Sequence, residues 1–399
     1  MDKKPEKLVP EVRFKGFTDD WEQHKLEEIA EFYNGDRGPN YPKPSEIVEQ
    51  GVPFINAGDL INGHIDYRNC KHITSDKFNQ LNGAKLKIND IVYCLRGTIG
   101  KNGLVNSDAN ATIASSLVCI RPVKLRPLFL FQILNSSIEE RQRKMVDEGA
   151  AQPNISATNL KKFLIPVPND NEQEKIGEVF SKLNHLITLQ QRKLEILIKL
   201  KRSFLTKSMV NSLDKNPELY FNSASVKWLK QKLSDLTIKE FKGNTKLNDT
   251  KPGKTEYLDA ERLNGNVPLF IDKPINTLKS DILILWDGSK AGSVYYGFEG
   301  SLGSTLKAIR LNPKLVNSFF VYQQLKSKQD VIFNKYRTPN IPHVIKNFTK
   351  VYPIYFPSMA VQNKIARFLG NLDTLIEIQQ KSIKDHKVIK KYLLQKLFI

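Results

Sequence analysis

The chain has 399 residues, 40% apolar and 26% charged, which is ordinary for a folded soluble protein and gives room for two or three domains. Lys and Arg outnumber Asp and Glu by 61 to 42, a formal charge of +19, and such a surplus draws polyanions because neutralised phosphates release condensed counterions. Three cysteines without a CxxC pair, no apolar run behind Met1 and no 18-residue apolar stretch argue against a disulfide framework and a structural zinc site, and no secretory signal, no membrane-spanning helix and a cytoplasmic setting are expected.

In chain order, a segment at 1–20 leads to Trp21 and then Lys25-Leu26, which open a first domain at 21–168. Short apolar runs broken by Gly, Asn, Asp and Pro read as strands there, at Ile91–Leu95 and Leu117–Ile120, with a helix over Pro127–Asp147. Pro153-Asn154-Ile155 and a proline-bounded β segment, 163–168, close it. Residues 169–213 form a long helix: Ile176, Phe180, Leu183, Ile187, Gln190, Leu194, Leu197, Lys201 and Phe204 fall at alternating four- and three-residue steps. That is a heptad seam, and Gln190 reads as a register-fixing polar position. A polar linker ending at Pro217 separates it from a second domain, 214–357, with strands at Ile282–Trp286 and Leu306–Ile309 and a helix over Asn317–Phe333. Pro339-Asn340-Ile341 and the segment 351–357 precede a second long helix, 358–399. Its seam runs Ile365, Leu369, Leu372, Ile376, Gln379, Ile383, His386, Lys390 and Leu393. At ~1.5 Å per residue, about 38 residues make a rod of roughly 57 Å, too long and too apolar along one stripe to stand alone.

The two halves are copies. Gln173 and Gln362 lie 189 positions apart, and the same offset pairs Leu183 with Leu372, Ile187 with Ile376, Lys201 with Lys390 and Leu205 with Leu394. Upstream, Trp21 matches Trp228, Leu60-Ile61-Asn62-Gly63 resembles Arg262-Leu263-Asn264-Gly265, and Asn89-Asp90-Ile91 parallels Ser280-Asp281-Ile282. Ser115-Ser116-Leu117 with Ile120-Arg121 parallels Ser304-Thr305-Leu306 with Ile309-Arg310, and Pro153-Asn154-Ile155 matches Pro339-Asn340-Ile341. The fold class expected is α+β: two repeated domains separated by two long helices. Pairing through a pseudo-twofold would make those helices antiparallel, a coiled-coil spacer with a domain at either end.

Catalytic signatures are missing. Gly97-Thr98-Ile99-Gly100-Lys101 lacks the spacing and the Ser or Thr of a phosphate loop, and Ser115-Ser116 lacks a GxSxG elbow. The six histidines show no HExxH spacing, so no metal site is expected. No Asn-Pro-Pro or Asp-Pro-Pro motif of an amino-methyltransferase occurs, and Asp385-His386-Lys387 sits on the second rod without a carboxylate strand.

Several features together resemble the specificity subunits of type I restriction-modification systems, over essentially the whole chain. These are Phe14-Lys-Gly-Phe17 with Thr18-Asp-Asp-Trp21, the stretch 153–156, and Pro166-Val-Pro168 followed by Glu172-Gln173 and Ile176. The second copy of the helix-opening motif has Val361 where the first has Glu172, which removes a capping side chain. The resemblance implies a non-catalytic subunit whose two target recognition domains each read one half of a split, asymmetric double-stranded DNA site. It implies helices that set the unread spacer and dock two methyltransferase subunits, with two restriction (motor) subunits completing the complex. S-adenosylmethionine, ATP and magnesium would be used by those partners, and this chain would bind no cofactor, metal or membrane.

Base readout favours Arg, Lys, amides and hydroxyls on loops held by a rigid sheet. In the first domain the candidates are Arg37, Asn56, Asn62, Arg96, Lys101, Ser115, Ser116, Gln152 and Asn154, with Arg37 and Arg96 foremost because both adjoin glycine. In the second they are Lys242, Asn244, Arg262, Asn264, Lys290, Ser304, Thr305, Arg337 and Asn340. Outward Lys182, Lys193, Lys199, Lys384 and Lys391 are solvated or meet phosphates or the methyltransferase. Two other classes stay open: a coiled-coil structural or DNA-binding protein without sequence preference, and the recognition part of a fused methyltransferase-nuclease.

Overall fold

Apolar runs of four residues bounded by turn formers are too short for helices and long enough for strands buried on both faces. In the computed structural model, which describes residues 9–146, 154–210, 217–219, 228–338 and 342–398, they become the centre of two sheets. Contacts divide the chain into one unit of residues 1–191 with 381–399 and another of residues 192–380.

In the first unit, Ala30–Asn34, Leu117–Pro122, Ile91–Cys94 and Asn102–Leu104 form an antiparallel sheet in that order. Strand alternation sends Ile91, Tyr93, Val118 and Ile120 into a core with Phe129 and Phe180. Val92, Cys94, Leu117 and Cys119 enter a second core. The second unit repeats the plan with Thr237–Lys242, Leu306–Leu311, Ile282–Leu285 and Val294–Tyr295. There Ile282, Ile284 and Ile309 join one core, and Leu283, Leu285 and Leu306 another. Each unit also has a parallel pair, Thr112–Ile113 on Val52–Ile55 and Ser301–Leu302 on Pro252–Leu258. Trp21 packs on Phe129 with centroids 5.9 Å apart, and Trp228 on Phe320 at 6.1 Å.

The repeated Asp-Ile and Ile-Arg pairs are two halves of one interaction. Arg121 holds Asp90 through Nε at 2.8 Å and Nη2 at 2.7 Å, and Arg310 holds Asp281 at the same two distances. Both carboxylates are buried and also accept a backbone N–H, from Lys87 and Leu278 respectively. A buried charge is tolerable only when paired and hydrogen-bonded in this way.

Three expectations change. Each helix read after the sheet is two helices: Pro127–Ile133 with Ser137–Val146, and Ser318–Ser327 with Gln329–Lys335. Ser136 Oγ donates to the Ile133 carbonyl and accepts from Ile138 N–H, so the hydroxyl takes over the bonds an unbroken helix would make. The matched Leu60–Gly63 and Arg262–Gly265 stretches adopt different structures, a hairpin of Leu60–Ile61 with His64–Ile65 against the end of the helix Ala260–Leu263. What they share is a glycine at positive φ, 82° at Gly63 and 104° at Gly265. Finally, Glu172 is no cap. Asn169 Oδ1 caps the helix by accepting from Glu172 N–H, and the Glu172 carboxylate takes both Nε and Nη2 of Arg13 at 2.8 Å.

The long helices run Asp170–Ser208 and Met359–Lys396. In the first unit Phe180 stacks on Phe398 at 6.0 Å. In the second, Phe204 meets Phe368 at 4.3 Å and Lys201 Nζ meets Asp373 at 2.5 Å. Rising numbers on one helix oppose falling numbers on the other, so the pairing inside the second unit is antiparallel. Every seam position from Ile176 to Phe204 and from Ile365 to Leu393 is buried or half-buried. Each helix is clamped to its domain by a glutamine: Gln173 accepts from Arg126 N–H and donates to Pro168 O, while Gln362 accepts from Asn317 N–H and donates to Pro357 O.

Removing one carboxylate leaves a half-buried guanidinium and a backbone N–H without their acceptor. Asp90→Ala and Asp281→Ala should each cost about 3 kcal/mol, read as a lowered urea midpoint; a change below about 1 kcal/mol would show that the pair is dispensable.

Candidate nucleic-acid interface

Where the central strands end, tight turns present the polar side chains singled out above. The turn Ala114–Leu117 closes through Leu117 N–H to Ala114 O, and Gly303–Leu306 closes in the same way. Ser116 O accepts from Leu95 N–H, and Thr305 O from Trp286 N–H. The matched Ser115-Ser116 and Ser304-Thr305 pairs thus occupy the same place in the two units.

In the first unit the geometry gathers Arg37, Arg96 and Asn154 around one open cleft of about 490 Å³, also walled by Asn34 and Ser156. Arg37 Nη2 donates to Ser115 O at 3.3 Å, which brings the serine turn to the same place. Arg96 and Asn154 are paired as an antiparallel bridge, fixed by Ile155 N–H to Leu95 O. Gly97 after Arg96 has φ 83°, a conformation that lets the backbone turn sharply. Asp36 is the acid beside Arg37, and its carboxylate is spent on the N–H groups of Asn82 and Gly83. The cleft is therefore electropositive and rich in donors, which suits phosphate oxygens and purine edges.

The other first-unit candidates lie apart from it. Asn56 donates to Phe54 O and fixes its own turn, with its N–H on Asp59. Asn62, at φ 51° on the hairpin tip, and Lys101, donating to Ala57 O, line a different cleft of about 660 Å³ next to helix residues Asn184 and Lys390. Gln152 lies outside the described residues.

The second unit builds the equivalent place from different chemistry. Lys242 Nζ pairs with Asp287 at 2.6 Å, and Arg337 Nη1 donates to Ser289 O beside the exposed Lys290. Asn244 and Thr305 are exposed, and Ser304 is half-buried. Arg262 is taken up by Glu256, and Asn264 by Ala260 O and Tyr295 OH, so both serve local structure. Asn340 lies outside the described residues, as do Pro339 and Ile341.

The Pro-Asn-Ile match misaligns the two units by three residues. The bridge of Asn154 to Arg96 is made in the second unit by His343 to Asp287, with Val344 N–H on Trp286 O. His343 is thus the counterpart of Asn154, and its Nδ1 lies 3.0 Å from Thr338 Oγ1. The helix offset of 189, carried upstream without a gap, would have found it. Among the described residues no group of three or more His, Cys, Asp or Glu is placed to hold a metal ion, and no described helix is long and apolar enough to cross a membrane. All three cysteines are buried thiols.

Two units of one topology, each ending its central strands in a differently composed polar cluster, define a duplicated recognition scaffold. The chain belongs to the Type I restriction modification DNA specificity domain family, which matches residues 18–199 and 225–385. It is 32% identical over 165 residues to the Type I restriction enzyme MjaVIII specificity subunit of Methanocaldococcus jannaschii, a match spanning 40% of this chain and 39% of that relative. A second chain of the same organism, provisionally designated the MjaX specificity subunit, is 22% identical over 408 residues, covering 95% of this chain and 93% of its own length. The crystal structure of a type I restriction-modification S subunit from M. genitalium superimposes with a TM-score of 0.72 over 98% of this chain and 99% of that one, at 19% identity, and so shares the fold.

Arg37→Ala and Arg96→Ala should each weaken duplex binding about tenfold or more, the range of one lost guanidinium contact. Fluorescence anisotropy at fixed salt measures it. Unchanged affinity in both variants would remove this cleft from the interface.

Proposed function

We propose that the chain is the DNA sequence-recognition subunit of a type I restriction-modification complex, reading a bipartite, asymmetric site with one recognition domain per half. The observation that carries this reading is the contrast between the two clusters. Arg96 and Asn154 stand in one unit where Asp287 and His343 stand in the other, on matching bridges, with Arg37 beside the first pair and Lys242 on the second. Readers of this kind would recognise different bases. A guanidinium suits guanine N7 and O6 and an amide suits adenine, whereas an aspartate accepts from cytosine N4.

The chain would do no chemistry. Methyl transfer from S-adenosylmethionine, and cleavage with ATP and magnesium, would belong to two methyltransferase and two restriction subunits docked on it, with no cofactor held by this chain and the cytoplasm as the setting. The helices support the docking part. Leu186 and Leu189 are 37% and 49% exposed, and their counterparts 189 positions on, Leu375 and Ile378, are 47% and 59% exposed. Apolar residues left outside a filled seam at matched positions suit one partner per unit. Helix length would then set the unread spacer.

Methylation-aware sequencing of DNA from cells expressing the chain with its methyltransferase partner should reveal two short defined blocks separated by an unread middle. A continuous motif, or none, would sink the proposal. Leu189→Arg combined with Ile378→Arg should weaken assembly with the methyltransferase at least about tenfold in sedimentation experiments while leaving the circular dichroism spectrum unchanged. Full assembly by that variant would move the docking site elsewhere.

A further inference from the structure

The offset of 189 also relates two polar clusters on the helices, and these are not equivalent. In the second unit Asp373 accepts from Lys201 Nζ at 2.5 Å and from Gln323 Nε2 at 2.7 Å. Burial, with the charges of Asp373 and Glu377 behind it, pushes the Tyr322 hydroxyl up to about 12. Burial and the nearby Lys201 lower Lys326. Asp373 and Glu377 balance Lys201 and Lys326 in charge, Asp373 pairing with Lys201 while Lys326 Nζ donates to Val294 O and Gln329 Oε1.

In the first unit Lys201 recurs at that offset as Lys390, and Gln323, three residues after Phe320, recurs as Gln132, three residues after Phe129, but Asn184 replaces Asp373, Thr188 replaces Glu377 and Asn135 replaces Lys326. Both carboxylates are gone. Asn184, Thr188 and Lys390 line the cleft of about 660 Å³, together with Lys101, Lys387 and His64. Its single acid, Asp66, is engaged by Asn69 Nδ2 and by the N–H groups of Arg68 and Asn69. Lys390 has no hydrogen-bond or ion-pair partner among the described residues. Burial lowers its pKa, and burial plus the Lys390 charge lower that of His64. Gln132 is 1% exposed with both amide atoms unpartnered, whereas Gln323 has Asp373. A half-buried lysine facing further cations without a counter-charge is costly, and an anion that enters removes that cost.

We infer that this cleft of the first unit binds a phosphate-type oxyanion, which takes the part that the Asp373 carboxylate plays in the second unit. Lys390 supplies the charge-assisted hydrogen bond and the Asn184 amide a neutral one. The inference is independent of which DNA sequence the chain reads.

The test is thermal unfolding of the full chain in inorganic phosphate against sodium chloride at matched ionic strength. Phosphate should raise the melting temperature saturably, by about 2 °C or more once the site is filled. Asn184→Asp should melt higher than the parent in chloride and lose the phosphate response. Lys390→Met should lose the response too, and if it does not fold, Asn184→Asp decides alone. Asp373→Asn, which recreates the first unit's chemistry in the second, should gain a further response. Duplex titrations of Asn184→Asp separate the sources: unchanged affinity assigns the site to a free ion, and a salt slope smaller by about one assigns it to a DNA backbone phosphate. A parental response no larger in phosphate than in chloride, or an undiminished response in Asn184→Asp, would overturn the inference.

Discussion

Everything in this molecule depends on covering the seam of two helices that are too long to bury their own apolar stripe. A helix of 39 residues with a heptad stripe has no stable existence in water unless another surface lies along it. Here the covering is reciprocal. The core of the first unit includes Leu397 and Phe398 from the far end of the second helix, and Phe398 contacts Trp21, Phe129 and Phe180. The core of the second unit includes Phe204 and Met209 from the far end of the first helix. Each half of the sequence therefore finishes the core of the other. Burying one such aromatic contributes about 2–3 kcal/mol, a sizeable share of a domain's net stability.

That constraint separates what can vary from what cannot. The glutamine clamps at Gln173 and Gln362, the Asp-Arg pairs, the tryptophan–phenylalanine contacts and the order of the central four strands are kept in both copies. At the turns that end the strands the backbone bonds are kept and the side chains differ: two arginines and an asparagine in one, a lysine, an aspartate and a histidine in the other. The same division accounts for the helix faces. Seam positions match in character except where His386 stands for Leu197, while the flanking Asn184 and Asp373 have diverged and leave one cluster neutral and the other cationic.

Much of the scaffold is legible in the sequence because its signals are periodic. The helix register follows from steps of three and four, and the strands follow from four-residue apolar runs. What escapes is set by partners far away along the chain. Arg13 and Glu172 are 159 positions apart, and only folding shows that Glu172 is an ion-pair residue while Asn169 does the capping. The Asp90 and Arg121 motifs are visible as repeats but not as a pair. Asn56 and Arg262 have the right chemistry for DNA and spend it on local turns, which composition cannot reveal. The helix breaks at Ser136 and Lys328 are missed because one hydroxyl, or one residue with φ −109° and ψ 21°, suffices to end a helix inside a pattern that stays apolar.

The central claim is that one scaffold carries two independent readers. Exchanging residues 21–168 for the corresponding domain of another family member leaves both helices and the second unit's loops as they are. Methylation-aware sequencing of DNA modified by that chimera with its methyltransferase partner should show one half-site replaced and the other half-site and the spacer unchanged. A motif altered in both halves, or in neither, would contradict the account.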